Sequence, residues 1–257
     1  MTVMRLKRYP SASGGIALGK VGVGATMMRK RTQVEYLSYI QSDGSAWVDT
    51  GYIPQYYDSF ELEMAATVWS SSSVSGKTAF FGCLPSTATS PYSTEPGYVF
   101  SPIFADRQYA FLPPFSNVGG GNARFWNGTP NDGNAYLDGT FRTFTLSAYA
   151  NSVPSAIVVD GTNTVSLTQR GFAGGTSSQL AVSVALFGSK TELGTCIFKT
   201  STQSNFKFRR LKFFDANGLN TADIRAAKLG NEFGIFDDVS QTFHAGVDGI
   251  ITGEPIP

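Results

Sequence analysis

Charge is scarce in this chain: only 15% of its 257 residues are Asp, Glu, Lys or Arg, against about a quarter in an average soluble domain. So thin a charged surface fits an extracellular or particle-borne protein better than a cytosolic enzyme. Histidine occurs once, at His244. Any Ser-His-Asp or Cys-His centre would have to use it, no nucleophile elbow accompanies it, and a standard zinc site lacks its ligands. Only two cysteines are present, Cys83 and Cys196, in the apolar contexts FFGC and TCIF. Two buried free thiols acting as small hydrophobes is one reading and a disulfide the other, because spacing does not report contact. No apolar run approaches the roughly 18 residues of a helical membrane span. No repeat of about 20–50 residues is visible, which argues against a propeller or solenoid. The apolar stretch IALGKVGVGATMM is broken by Lys20 and three glycines and followed by Arg29-Lys30-Arg31, so no signal peptide is expected.

Acid is missing altogether from residues 1–34, which carry Arg5, Lys7, Arg8, Lys20, Arg29, Lys30 and Arg31. The rest holds the other 13 basic residues against all 19 acidic ones, a net charge of about −6 beside the overall +1. A cationic segment joined to an anionic body has the charge pattern of an interaction tail. Gly14, Gly15, Gly19, Gly22 and Gly24 give the segment too much backbone freedom to fold by itself. Residues 1–34 therefore read as a docking arm and 35–257 as one folded domain. The arm's seven charges are spread over 27 positions, with Tyr9 the one aromatic and no recognition motif. An anionic protein surface is favoured as its partner over nucleic acid.

What the chain has in abundance is glycine (28), phenylalanine (20) and tyrosine (11). Glycine turns between short aromatic and β-branched runs are what an antiparallel sheet protein needs. Phe60, Leu62, Met64 and Ala66 alternate with Glu61, Glu63 and Ala65, a half-buried strand with wet carboxylates. Asp160-Gly161 is a strong hairpin turn. In Phe206–Asp215, apolar and basic residues fall on both alternating sets, so the facing is ambiguous. Residues 85–135 are irregular, with weak strands near Tyr98–Phe104 and Gln108–Phe111, and insertions of this length commonly serve function or partner contact.

The segment Tyr39-Ile40-Gln41-Ser42-Asp43-Gly44-Ser45-Ala46-Trp47-Val48-Asp49-Thr50-Gly51-Tyr52-Ile53-Pro54 resembles the opening signature of concanavalin-A-like, laminin-G-like domains found in gut phages and bacteria. Phe80-Phe81-Gly82, Val159-Asp160-Gly161, Ala185-Leu186-Phe187, Leu211–Asp215 and the closing Gly234–His244 follow in the family's order, so the resemblance spans about residues 35–250. It implies an all-β, two-sheet antiparallel jelly-roll sandwich with an extended N-terminal arm. Local rules read Thr221–Leu229 as a short helix capped by Asn220 and stopped by Gly230. The family has a strand there, and the sequence leaves the two readings open.

The fold hosts lectins, glycosidases, adhesion modules and virion decorations, so function has to be argued from sites. A glycosidase needs two carboxylates about 5–9 Å apart, and Glu61 with Glu63 are the candidates. They lack the longer acidic cluster of laminarinase-type enzymes and read as solvated residues on an outer face. The loop around Asp132 and Asp138 lacks the acid spacing of an EF-hand. No catalytic residue, metal or cofactor is expected. Trp126, Phe125, Tyr92, Tyr98, Tyr109 and Tyr136, in or near the irregular region, are candidates for sugar stacking, for a subunit interface or for local core. The expectation is a non-enzymatic phage virion protein, a capsid decoration, head fibre or tail accessory. Its arm docks on other virion proteins and its sandwich faces outward, available for adhesion to a host glycan. A homo-oligomer such as a trimer suits such a role. The alternative is a carbohydrate-binding module of a bacterial surface protein.

Overall fold

The structure, a computed structural model, describes residues 33–55, 58–67, 78–88, 97–103, 108–112, 121–127, 136–146, 156–174, 180–200 and 205–257. Side chains of 101–103, 108–112, 121–127 and 166–174 fall outside that description, as do the arm cations and Tyr92. Among the described residues the protein is all-β and has no α-helix. The strands are β1 (Val34–Ser42), β2 (Trp47–Asp49), β3 (Ser59–Ala65), β4 (Phe81–Cys83), β5 (Tyr98–Ile103), β6 (Gln108–Leu112), β7 (Gly121–Asn127), β8 (Arg142–Leu146) and β9 (Ala156–Val159). They continue with β10 (Asn163–Gly174), β11 (Ala185–Leu186), β12 (Ser189–Lys190), β13 (Cys196–Ile197), β14 (Lys207–Phe214), β15 (Asn220–Leu229), β16 (Glu232–Asp237), β17 (Thr242–Val247) and β18 (Ile251–Pro255).

Their antiparallel ladders close on themselves. The first part of β10 pairs β9, and the chain of partners runs through β8, β3, β14, β15 and β16 to β17. At Gly246–Val247 β17 crosses to β2, and pairing continues through β11, β4, β5, β6 and β7 back to the last part of β10. A closed ring leaves few bare edges to invite aggregation. Strand β1 adds to β14 and β15 from one side and carries β18 on the other. Among the described residues the one parallel contact is β12 with β4, at Lys190 and Cys83.

The core lies between the two arcs of the ring. Phe60, Phe144, Leu211, Phe213 and Ile224 come from one arc and Val48, Phe81, Phe100 and Leu186 from the other, all at most 1% exposed. Phe60 meets Phe81 edge-on at 5.1 Å and 83°, and Phe81 meets Phe213 at 5.9 Å and 88°. Edge-on ring pairs each add about 0.5–1.5 kcal/mol beyond burial.

Two ambiguities of the sequence resolve here. In β14, Phe208 faces Met64 and Arg210 faces Glu63 on the neighbouring residue, so Arg209 is an extra, bulged residue. Phe206 and Phe208 point inward before the bulge, Leu211 and Phe213 after it, and both arginines stay outside. Segment 221–229 is a strand, not a helix. Ala222, Ile224 and Ala226 are buried while Asp223 and Arg225 are not, and ladders on both sides outweigh the helix propensity of three alanines. Gly230, at φ +64°, makes the turn of a hairpin in which Leu229 faces Glu232.

Candidate functional site

The segment Tyr39–Pro54 contains β2, which joins β17 to β11 in the ring. Asp43 caps the turn after β1: its Oδ1 accepts from the Ser45 N–H (2.8 Å), the Ser45 hydroxyl (2.7 Å) and the Ala46 N–H (2.9 Å). Its Oδ2 accepts from the Ile250 N–H at 2.9 Å, tying this turn to the β17–β18 turn. The Ala46 N–H, the Ser45 hydroxyl and the Ile250 N–H hold the Asp43 carboxyl far below the usual carboxylate range. Trp47 is buried and donates its indole N–H to Asp248 at 2.9 Å.

Asp49 takes the Lys190 ammonium on one oxygen and the Ser183 hydroxyl on the other, the latter at 2.6 Å, and Lys190 also reaches the Ser183 Oγ at 2.8 Å. Burial pushes the Asp49 carboxyl up, but the bonds from Lys190, Ser183 and the Gly51 N–H outweigh it, so it lies below its ordinary value. Lys190 arrives because the chain reverses between β11 and β12 with Phe187 at φ +64°. That conformation, unusual for a bulky residue, is pinned by a bond from the Phe187 N–H to Phe80 O and another from the Thr200 N–H to Phe187 O, both 2.9 Å.

Thr50 donates its hydroxyl to Val184 O at 2.7 Å and accepts from the Tyr52 N–H at 3.1 Å. Gly51, at φ +72°, lets the turn pass against His244: an added Cβ would lie 2.9 Å from Cε1 of that ring. Tyr52 stacks on Phe213 at 4.2 Å and 9°. Its hydroxyl donates to Asp58 at 2.5 Å and lies 3.0 Å from the Thr221 Oγ. Burial, against the bonds from the Gln55 N–H and Tyr52, leaves the Asp58 carboxyl raised. Burial, with Asp58 beside it, raises the Tyr52 phenol as well.

Above this scaffold lies a depression of about 410 Å³, walled by residues 50–53, Thr221, and Asp237, Ser240, Thr242 and His244 of the β16–β17 hairpin. Its size is within the range of about 300–1,000 Å³ common for ligand pockets. Asp237 is buried, and its oxygens accept from the Asp223 N–H (2.9 Å), Val239 N–H (3.0 Å) and Ser240 N–H (3.2 Å). The His244 side chain forms no hydrogen bond or ion pair with another described residue.

Of the aromatic candidates, the side chains of Tyr98 and Tyr136 are described. Tyr98 is a correction: fully buried in the core at 5.9 Å from both Phe81 and Phe213, it is not available to stack on a ligand. Tyr136 packs half-buried against the core, with the Arg142 guanidinium 5.6 Å from its ring centre. Tyr109 and Phe125–Trp126 lie on the adjacent strands β6 and β7, where Ala110 faces Trp126, and their side chains are outside the described residues. Tyr92, Asp132 and the arm residues Arg5, Lys7, Arg8, Lys20, Arg29, Lys30 and Arg31 lie outside them too. Asp138 spends its carboxylate on Arg142 (2.8 Å) and the Thr140 N–H (2.9 Å). Arg142 first, and then that N–H, lower its pKa to about 2.

Glu61 pairs with Lys212 at 2.6 Å and Glu63 with Arg209 at 2.5 Å, in a band of ion pairs that continues with Arg210–Asp223 at 2.5 Å. Cys83 and Cys196 are free thiols, both pushed up to about 12 by burial. Among the described residues no group of three or more His, Cys, Asp or Glu side chains is placed to hold a metal ion. The sequence reading missed the Asp49–Ser183–Lys190 cluster and the pocket. Asp49 and Gly51 stand in the signature segment, whereas nothing near Lys190 points to its partners. Comparison with protein-family models matches no family, and comparison with curated proteins finds no match.

Proposed function

We propose that residues 35–257 form a two-sheet jelly-roll sandwich of the concanavalin-A-like, laminin-G-like kind. In this reading the two arcs of the ladder ring are its leaves, and β10 and β17 are the strands that pass from one to the other. The chain is a non-enzymatic phage virion component, a capsid decoration, head fibre or tail accessory. Residues 1–34 dock on the particle and the body faces outward, where it can adhere to a host glycan.

The observation that carries the reading is the division of charge: seven cations and no acid in a glycine-rich leader, against a body of about −6. The interactions of the body support it, because its signature residues and paired glutamates are spent on holding strands together. Val34 already pairs with Leu229, so a truncation that tests the arm must keep β1 and remove residues 1–32. That protein is expected to fold and stay soluble yet fail to join particles. Normal incorporation of the truncated chain would overturn the tether. The second reading, a carbohydrate-binding module, is favoured by the pocket at residues 50–53 and 237–244, and a glycan array tests it.

A further inference from the structure

Where β14 and β15 separate, the sheet forks. Their ladder runs from Phe214 and Asn220 to Arg210 and Arg225. Beyond that pair, β14 turns to β1 at Lys207–Phe208 and β15 turns to β1 at Ala227–Leu229. Strand β1 crosses the fork between these contacts, and its register against β18 shifts between Leu37 and Tyr39. A groove of about 380 Å³ lies at the junction, with Arg209, Arg210 and Arg225 in its wall beside Ser38 and a single acid, Glu63.

Each guanidinium is held on one side and unspent on another. Arg209 lies 3.8 Å from the centre of the Phe141 ring and donates from Nε to Ser38 O at 3.0 Å and from Nη1 to Glu63 at 2.5 Å. Arg210 donates to Asp223 through Nε and Nη2, at 2.7 and 2.5 Å. Arg225 lies 4.2 Å from the centre of the Tyr36 ring and 3.6 Å from Asp238, beyond hydrogen-bond reach. Nη2 of Arg209, Nη1 of Arg210 and the N–H groups of Arg225 therefore have no hydrogen-bond partner among the described residues. The rings and ion pairs fix the guanidinium planes in advance, so an incoming carboxylate meets donors that lose little freedom on binding. Glu63 and Asp223 already show a carboxylate satisfying one edge of such a group. Glu63 would repel a multiply charged phosphate more than a lone carboxylate. Among the described residues the wall has no aromatic ring on which a sugar could stack. Leu37 and Ile256, the latter 56% exposed, offer aliphatic carbon to the stems of acidic side chains.

We propose that this groove binds an acidic peptide segment of another protein, its Asp or Glu carboxylates accepting from Arg209, Arg210 and Arg225. This goes beyond the function proposed above, because it gives the body a contact of its own, separate from the arm and from the pocket at residues 50–53.

Hexaglutamate, inorganic phosphate and a sulfated hexasaccharide are titrated in turn into the isotope-labelled full chain at low salt, and the backbone and arginine Nε–H signals are followed by NMR. Hexaglutamate is expected to shift the signals of Ser38, Arg209, Arg210 and Arg225 saturably. Arg225→Gln should weaken that binding about tenfold, the loss of a charge-assisted hydrogen bond. Arg225→Lys, which keeps the charge without the planar fork, should restore part of it. Lys228→Gln, on the same strand but outside the groove, should leave it nearly unchanged. Shifts confined to residues 1–32 would overturn the groove and leave arm docking intact. Groove shifts from phosphate or the sulfated sugar but not from hexaglutamate would overturn the ligand class. Equal weakening by Arg225→Gln and Lys228→Gln would reduce the effect to net charge and overturn the site. If the Arg225→Gln spectrum departs from the parent's throughout, Arg225→Lys decides, and affinity equal to the parent's would then overturn the site.

Discussion

Asp43 shows how one side chain can join distant turns. Asp43→Ala removes four hydrogen bonds to a carboxylate and is expected to cost about 1–3 kcal/mol in thermal or urea unfolding. The pH dependence has a definite sign. A carboxyl whose folded pKa is depressed stabilises the fold fully above its unfolded value of about 4 and loses that contribution as pH falls toward the folded value. The gap in melting temperature between the parent and Asp43→Ala should therefore narrow steadily below pH about 4. A gap unchanged down to pH 2 would contradict the role given to the carboxylate. Gly51 makes a second case. Gly51→Ala combines a left-handed backbone with a contact to His244, and a loss of about 1–3 kcal/mol is expected. In a His244→Ala background the loss should shrink but not vanish, because only the contact is relieved. Equal losses in both backgrounds would show that the ring does not press on residue 51.

Elements were legible where hydrophobic alternation was unbroken and obscure where one residue broke it. Strand β3 reads directly from its Phe-Glu-Leu-Glu-Met pattern, and the structure buries Phe60, Leu62 and Met64. Strand β14 cannot be read that way: the Arg209 bulge shifts the phase midway, and a bulge leaves no mark in composition. For β15 the local helix signals are genuine, but they compete with hairpin ladders to β14 and β16 and with a ladder to β1, far away in sequence. The Asp49–Lys190 pair spans 141 positions, beyond any local rule. The signature segment was visible as a unit, although its residues turn out to tie strands together. The bulge also separates two kinds of substitution on one strand. Arg209→Ala removes a half-buried ion pair with Glu63, a hydrogen bond to Ser38 O and a contact over the Phe141 ring, and should cost about 1–2 kcal/mol. Phe213→Ala, in the core beside Tyr52, Phe81 and Tyr98, should cost about 3–5 kcal/mol. Chemical denaturation of both variants checks the contrast, and comparable losses would mean the strand faces the other way.

At the scale of the whole molecule, a ring of ladders around one aromatic core explains how the body can stand without its leader. The core cluster joins both arcs, and Asp43, Asp49 and Asp58 each fasten a loop to a neighbouring part of the ring. The leader contributes a different quantity, seven positive charges and no acid on a glycine-rich backbone, which complements an anionic surface. The proposed display on a particle rests on these two properties taken together. The most direct measurement is electron cryo-microscopy of a phage particle carrying this chain, at a resolution that traces residues 1–31. The account predicts those residues laid against an acidic surface of a neighbouring virion subunit, with the β body projecting outward. Tracing them into the chain's own aromatic core instead would contradict it.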